Sequence, residues 1–199
     1  MKNKLTFSAK QITGIAVLIA LVIVLQAVGG SIPIGAIQLN FTLIPIVLSG
    51  IIFGALAGAL TGFACGVVVL IQVITAPSGL YALMWAGDPI VVVLVCLLKT
   101  TVAGFLAGYV YDLIAKKNKM VATFVASAIV PIVNTALFII GCLFMTNSIY
   151  FSASESGQNV FAYIIIVLVS FNFFFELAVN LIVAPALSRV LKTIKTIKF

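Results

Sequence analysis

Long apolar runs alternate with short polar breaks along the chain, and the breaks set its elements. A bilayer crossing needs roughly 20 apolar residues at about 1.5 Å rise each. The first run, about Gln11–Val28, meets that length and ends at Gly29-Gly30. Pro33 and Gly35 then mark Ser31–Asn40 as a loop. Phe41–Ile74 is a single apolar stretch of 34 residues. That is too long for one crossing and just enough for two short helices joined tightly, with the break near Ala55–Ala59. Pro77, Ser78, Gly79, Gly87 and Pro89 make Thr75–Asp88 a second loop. Further spans follow at about Ile90–Leu113, Met120–Met145 and Val160–Leu187, with Thr146–Asn159 as a polar loop between the last two. The pattern predicts an all-α integral membrane protein, a compact bundle of six transmembrane helices, with residues 1–199 forming one domain.

Charge orients the bundle. Lys2, Lys4 and Lys10 precede the first run, Lys116, Lys117 and Lys119 follow the fourth, and Arg189, Lys192, Lys195 and Lys198 close the last. Basic residues collect on the cytoplasmic side of short loops. Six crossings put both termini and the Lys116–Lys119 loop on that side together; five would separate them. The loops at Ser31–Asn40, Thr75–Asp88 and Thr146–Asn159 then face outward. At 64% hydrophobic and 8% charged, the composition leaves no room for a soluble domain. The net charge of +7 does not signal nucleic acid, because no basic stretch interleaves aromatics or carries a binding motif. The first run lacks a small-residue cleavage site and is expected to stay as the first span.

The eleventh basic residue, Lys99, lies inside an apolar run. A charge there is costly unless it faces a partner or a cavity, which makes Lys99 a functional candidate. It sits about ten residues into its span, roughly 15 Å deep. Asn134 and Asn172 fall at similar depth on the fifth and sixth spans, and Glu176 and Asn180 extend the second of these into a polar stripe. Two roles stay open for Lys99, a structural ion pair with Glu176 or contact with a ligand. Nearer the outer surface lie Gln38, Asn40, Thr42, Gln72, Tyr81, Trp85 and Asp88. Of these, Asn40, Gln72, Tyr81 and Trp85 are candidate site residues, Trp85 serving equally as an interface aromatic or a pocket wall. Cys65, Cys96 and Cys142 are not at metal-ligand spacing and read as small buried hydrophobes. There is no histidine, so no metal site and no cofactor are expected.

Gly50, Gly54, Gly58, Gly62 and Gly66 recur every four residues, and Ala103, Gly104, Ala107 and Gly108 repeat the theme in the fourth span. Small residues let helix backbones approach closely in lipid, where packing is the main force available. Ala16 and Ala20 form another such pair on the first helix.

The stretch LNFTLIPIVLSGIIFGALAGALTGFACGVVVLI (Leu39–Ile71) and the stretch LLKTTVAGFLAGYVYD (Leu97–Asp112) resemble the substrate-binding S components of energy-coupling factor (ECF) vitamin transporters. Within that family the IPIVLSGIIFGALAG and LLKTTVAGFLAG segments are most similar to the pantothenate-specific members. The resemblance implies a multi-pass subunit of the prokaryotic cell membrane that binds a vitamin with high affinity and is not an enzyme. It also implies partners: a transmembrane T subunit, contacted through the Ala-xxx-Ala pair matched by Ala16 and Ala20, and two ATPase subunits. An anionic vitamin would suit Lys99, with Asn134 and Asn172 on its amide and hydroxyls; folate, riboflavin or another water-soluble vitamin is the alternative cargo. An autonomous secondary transporter is a further alternative, but 199 residues show no inverted repeat. A membrane enzyme lacks support in any HExxH or GxSxG motif.

Overall fold

The computed structural model of the chain describes residues 7–29, 33–34, 37–38, 41–77 and 80–196. Helix α1 (Ala9–Gly29) leads into two short antiparallel strands, β1 (Pro33–Ile34) and β2 (Ile37–Gln38), with Pro33 opposite Gln38. Helices α2 (Leu43–Phe53), α3 (Ala55–Thr75), α4 (Leu80–Gly87), α5 (Pro89–Ile114) and α6 (Lys119–Leu143) follow. Then come α7 (Ile149–Glu155) and a run made of α8 (Val160–Ala162), a π-helical stretch (Tyr163–Val169) and α9 (Ser170–Thr196). Four of the described helices, α1, α3, α5 and α6, are long and apolar enough to cross a membrane.

The apolar stretch Phe41–Ile74 does divide, but at Gly54 and into unequal parts. Gly54 takes φ +95°, a left-handed conformation that an L side chain resists, so the break falls on the glycine and not inside the Ala55–Ala59 segment. With 11 residues, α2 is only about 16 Å long and falls short of a hydrocarbon core of about 30 Å. Two segments expected as loops also contain helices. In α4 the positions Tyr81, Met84 and Trp85 turn one apolar face onto the core while Leu83 points away. In α7, Ile149 and Ala153 are fully buried and Phe151 is exposed. Both elements are too short to show a clear period in the sequence, where turn-forming residues dominate. Asn118 starts α6 by accepting hydrogen bonds from the backbone N–H groups of Met120 and Val121.

The central contact is a backbone seam between α3 and α5. Gly58, Gly62 and Gly66 face the carbonyls of Gly104, Thr100 and Cys96 so closely that an added Cβ would lie under 3.0 Å from each oxygen. The descending order on α5 makes the pair antiparallel. Thr100 Oγ1 donates across it to the Gly62 carbonyl at 2.7 Å, a hydrogen bond that only such close backbones permit. Gly50 extends the seam to α2, where its missing side chain makes room for Gly104 and Gly108. Thr61 Oγ1 donating to Ser49 Oγ at 2.7 Å ties α2 to α3.

Gly62→Ala should lower stability by about 1–3 kcal/mol, because neither backbone can yield to the new methyl. Thermal unfolding in detergent micelles reads this against Leu98→Ala, a change on the 53% exposed face of α5. Equal midpoints for the two variants would contradict a seam held by backbone contact.

Candidate functional site

Cys96, Lys99, Thr100 and Ala103 share the buried face of α5. Lys99 is only 7% exposed, and its neighbour Thr100 is the residue that locks the seam. The ammonium lies 5.3 Å from the centre of the Phe138 ring of α6, within reach of a cation–π attraction. Its charge acts on groups of four other helices: Tyr81 of α4, Cys65 of α3, Cys142 of α6 and Glu176 of α9. The three cysteines are free thiols around the same centre. Among the described residues no cluster of His, Cys, Asp or Glu is arranged to hold a metal ion.

On the facing side lies a group of oxygens. Glu176 is 2% exposed, and its Oε1 accepts from Asn172 Nδ2 at 3.1 Å. Its Oε2 has no hydrogen-bond partner. Asn180 folds back, donating from Nδ2 to the Glu176 backbone carbonyl at 2.9 Å. Asn134 Oδ1 and Asn180 Oδ1 are likewise buried without partners. Lys99 and Glu176 thus act on each other's charge without a hydrogen bond between the ammonium and the free Oε2. Asn134 stands one turn before Phe138 on α6 and one turn after Pro131, whose missing N–H releases the Ser127 carbonyl from the helix ladder. The structure therefore brings Lys99, Asn134, Asn172 and Glu176 to one level of the bundle.

Tyr81 and Trp85 lie one turn apart on α4 and pack against the core from outside. Loss of water around Tyr81 pushes its phenol above its ordinary value of 10.0, the Lys99 ammonium drawing it partly back, so the hydroxyl is neutral at pH 7. Gln72 is placed differently from the rest. Its side chain accepts from Gln26 Nε2 at 2.9 Å and donates to the Gln26 backbone carbonyl at 3.3 Å, clamping α3 to α1. Asn40 lies outside the described residues. Ala16 and Ala20 are exposed on α1, on a face shared with Val17 and Val24, while Ile15 and Val22 turn into the bundle.

One polar junction was not singled out in the sequence. Asp88, 7% exposed between α4 and α5, accepts at Oδ2 from the Ser148 backbone N–H at 2.9 Å and from Ser148 Oγ at 2.7 Å. Its Oδ1 accepts from Asn147 Nδ2 at 3.1 Å, and Asn147 also donates to the Gly87 carbonyl at 3.2 Å. The junction pins the end of α4 to the segment after α6. It joins residues about 60 positions apart, which sequence spacing does not reveal.

Asp88→Ala leaves the Ser148 N–H and hydroxyl buried without an acceptor and should cost about 1–3 kcal/mol. An unfolding midpoint unchanged from that of the parent protein would show that the junction contributes nothing.

Residues 10–188 match the family model described as ECF transporter, substrate-specific component. No curated protein matches the chain.

Proposed function

The chain belongs to the substrate-specific components of ECF transporters, and from that premise we propose that it captures an anionic vitamin, pantothenate, from outside the cell. The family is one of membrane transport subunits, not enzymes. In this reading the chain crosses the membrane six times with both termini cytoplasmic, the bilayer thinning locally to accommodate the short α2. The observation that carries the substrate is Lys99, a buried ammonium with an aromatic face beside it and no hydrogen-bonded carboxylate among the described residues. A ligand carboxylate supplies the missing counter-ion, and a charge-assisted hydrogen bond in a site cleared of water is the strongest single contact available to it. Asn134 Oδ1, buried and unpartnered, suits the N–H of the pantothenate amide. Tyr81 and Trp85 cover the apolar part from the outer side, and Gln72 acts through its clamp on α1.

Delivery inward then belongs to a transmembrane T subunit and two ATPase subunits, met through the exposed Ala16–Ala20 face. Alanine leaves the backbone open to a close helix contact.

Lys99→Met keeps most of the side-chain volume and removes the charge. Isothermal titration with pantothenate should show a loss of roughly 2–5 kcal/mol, since the carboxylate is then buried unpaired. Near-native affinity in this variant would exclude Lys99 as the anchor. Replacing Ala16 and Ala20 together with leucine should abolish complex formation and uptake while the isolated protein still binds ligand. Normal uptake with both leucines in place would overturn the docking role.

A further inference from the structure

The buried side-chain atoms without hydrogen-bond partners among the described residues are all oxygens: Ser127 Oγ, Asn134 Oδ1, Glu176 Oε2, Asn180 Oδ1 and Ser188 Oγ. The two serine hydroxyls can donate or accept, but the other three only accept when Glu176 is ionised. A buried acceptor left unpaired is costly, and a carboxylate oxygen most of all. The Asn134 side chain lies near Glu176, yet Glu176 Oε2, Asn134 Oδ1 and Asn180 Oδ1 still lack donors. Lys99 does not supply one at Glu176 Oε2, since that oxygen has no partner.

Resting on the reading that an anion meets Lys99, we infer that Glu176 is a ligand-binding residue that accepts hydrogen bonds from hydroxyl groups at the other end of the same molecule. Asn172 is then a positioning residue. Its amide holds Oε1 at 3.1 Å and leaves Oε2 directed to the occupant, which departs from the expectation that Asn172 itself binds the hydroxyls. Asn180 fixes the same turn of α9 through the Glu176 carbonyl. The site thus has two poles, an ammonium for an anionic group and a carboxylate for O–H donors. The two poles sense each other's charge without a hydrogen bond to the free oxygen. The substrate class follows: a carboxylate whose far end carries hydroxyls. A carboxylate of the same shape without them satisfies only one pole.

Isothermal titration with two compounds tests this. One is pantothenate; the other is N-(3,3-dimethylbutanoyl)-β-alanine, which keeps the carboxylate, the amide and the branched body and lacks both hydroxyls. The unmodified protein should prefer pantothenate by about 10- to 100-fold, the range expected of hydrogen bonds to a charged group. Glu176→Gln should shrink that preference to less than about 3-fold, chiefly by weakening pantothenate, since the charged acceptor is gone. Lys99→Met should weaken both compounds by the same factor. If the unmodified protein binds the two compounds equally, Glu176 does not receive the hydroxyls; this arm needs no variant to fold. If Glu176→Gln weakens both compounds equally, Glu176 shapes the site without touching the ligand, and the inference fails while the lysine reading stands. If Lys99→Met changes neither compound but the Glu176 effect is selective, the lysine reading fails and the inference stands. Failure of the unmodified protein to bind pantothenate at all overturns both.

Discussion

Backbone-to-backbone contact between α3 and α5 is the constraint on which the remaining structure depends. In lipid the tails are as apolar as any leucine, so helices gain little from hiding apolar surface and must gain from close packing. Three glycines on α3 meet three carbonyls on α5 at successive turns, and Thr100 crosses the seam to the Gly62 carbonyl. Lys99 is the residue before Thr100. Its position at mid-bundle is therefore set by a contact that has almost no freedom to slide. A buried ammonium fixed in this way cannot swing out to the membrane surface as a lysine near a helix end does.

Around that fixed cation the other helices divide the work. α6 brings Phe138 to the ammonium and Asn134 one turn away, while α9 brings Asn172, Glu176 and Asn180. α4 packs on the core through Tyr81, Met84 and Trp85 and is pinned at its end through Asp88 to Asn147 and Ser148. Among the described residues α1 makes no hydrogen bond to this polar group; Gln26 ties it to Gln72 of α3, and Ala16 and Ala20 are exposed. Under the proposed function, the ligand level inside the bundle lies apart from the docking face on the first helix. Binding and partner contact can then be impaired independently by substitution.

Much of this was legible in the sequence because lipid makes strict demands. The four-residue glycine repeat announced a close helix pair, and the lone mid-span lysine announced a buried charge, which is costly without a partner. Asn172 sits one turn from Glu176 on α9, and Asn134 sits one turn from Phe138, the ring beside Lys99, on α6. What could not be read were contacts between segments distant in the chain. Gln72 ties its amide to Gln26, 46 positions away, and Asp88 closes on Ser148, 60 positions away. The division of Phe41–Ile74 was misplaced by a residue or more, because every glycine in the repeat looks alike in sequence and only Gly54 adopts the left-handed turn. The helices α4 and α7 were hidden by their short length among turn-forming residues.

The central claim is that Lys99 holds an anion inside the bundle. Mass spectrometry of the small molecule released from the purified, detergent-solubilised protein tests it without any choice of ligand. The account predicts a hydroxylated carboxylate at about one molecule per chain, and its absence from Lys99→Met prepared in the same way. A cationic or uncharged molecule, or the same carboxylate at undiminished occupancy in Lys99→Met, would contradict it.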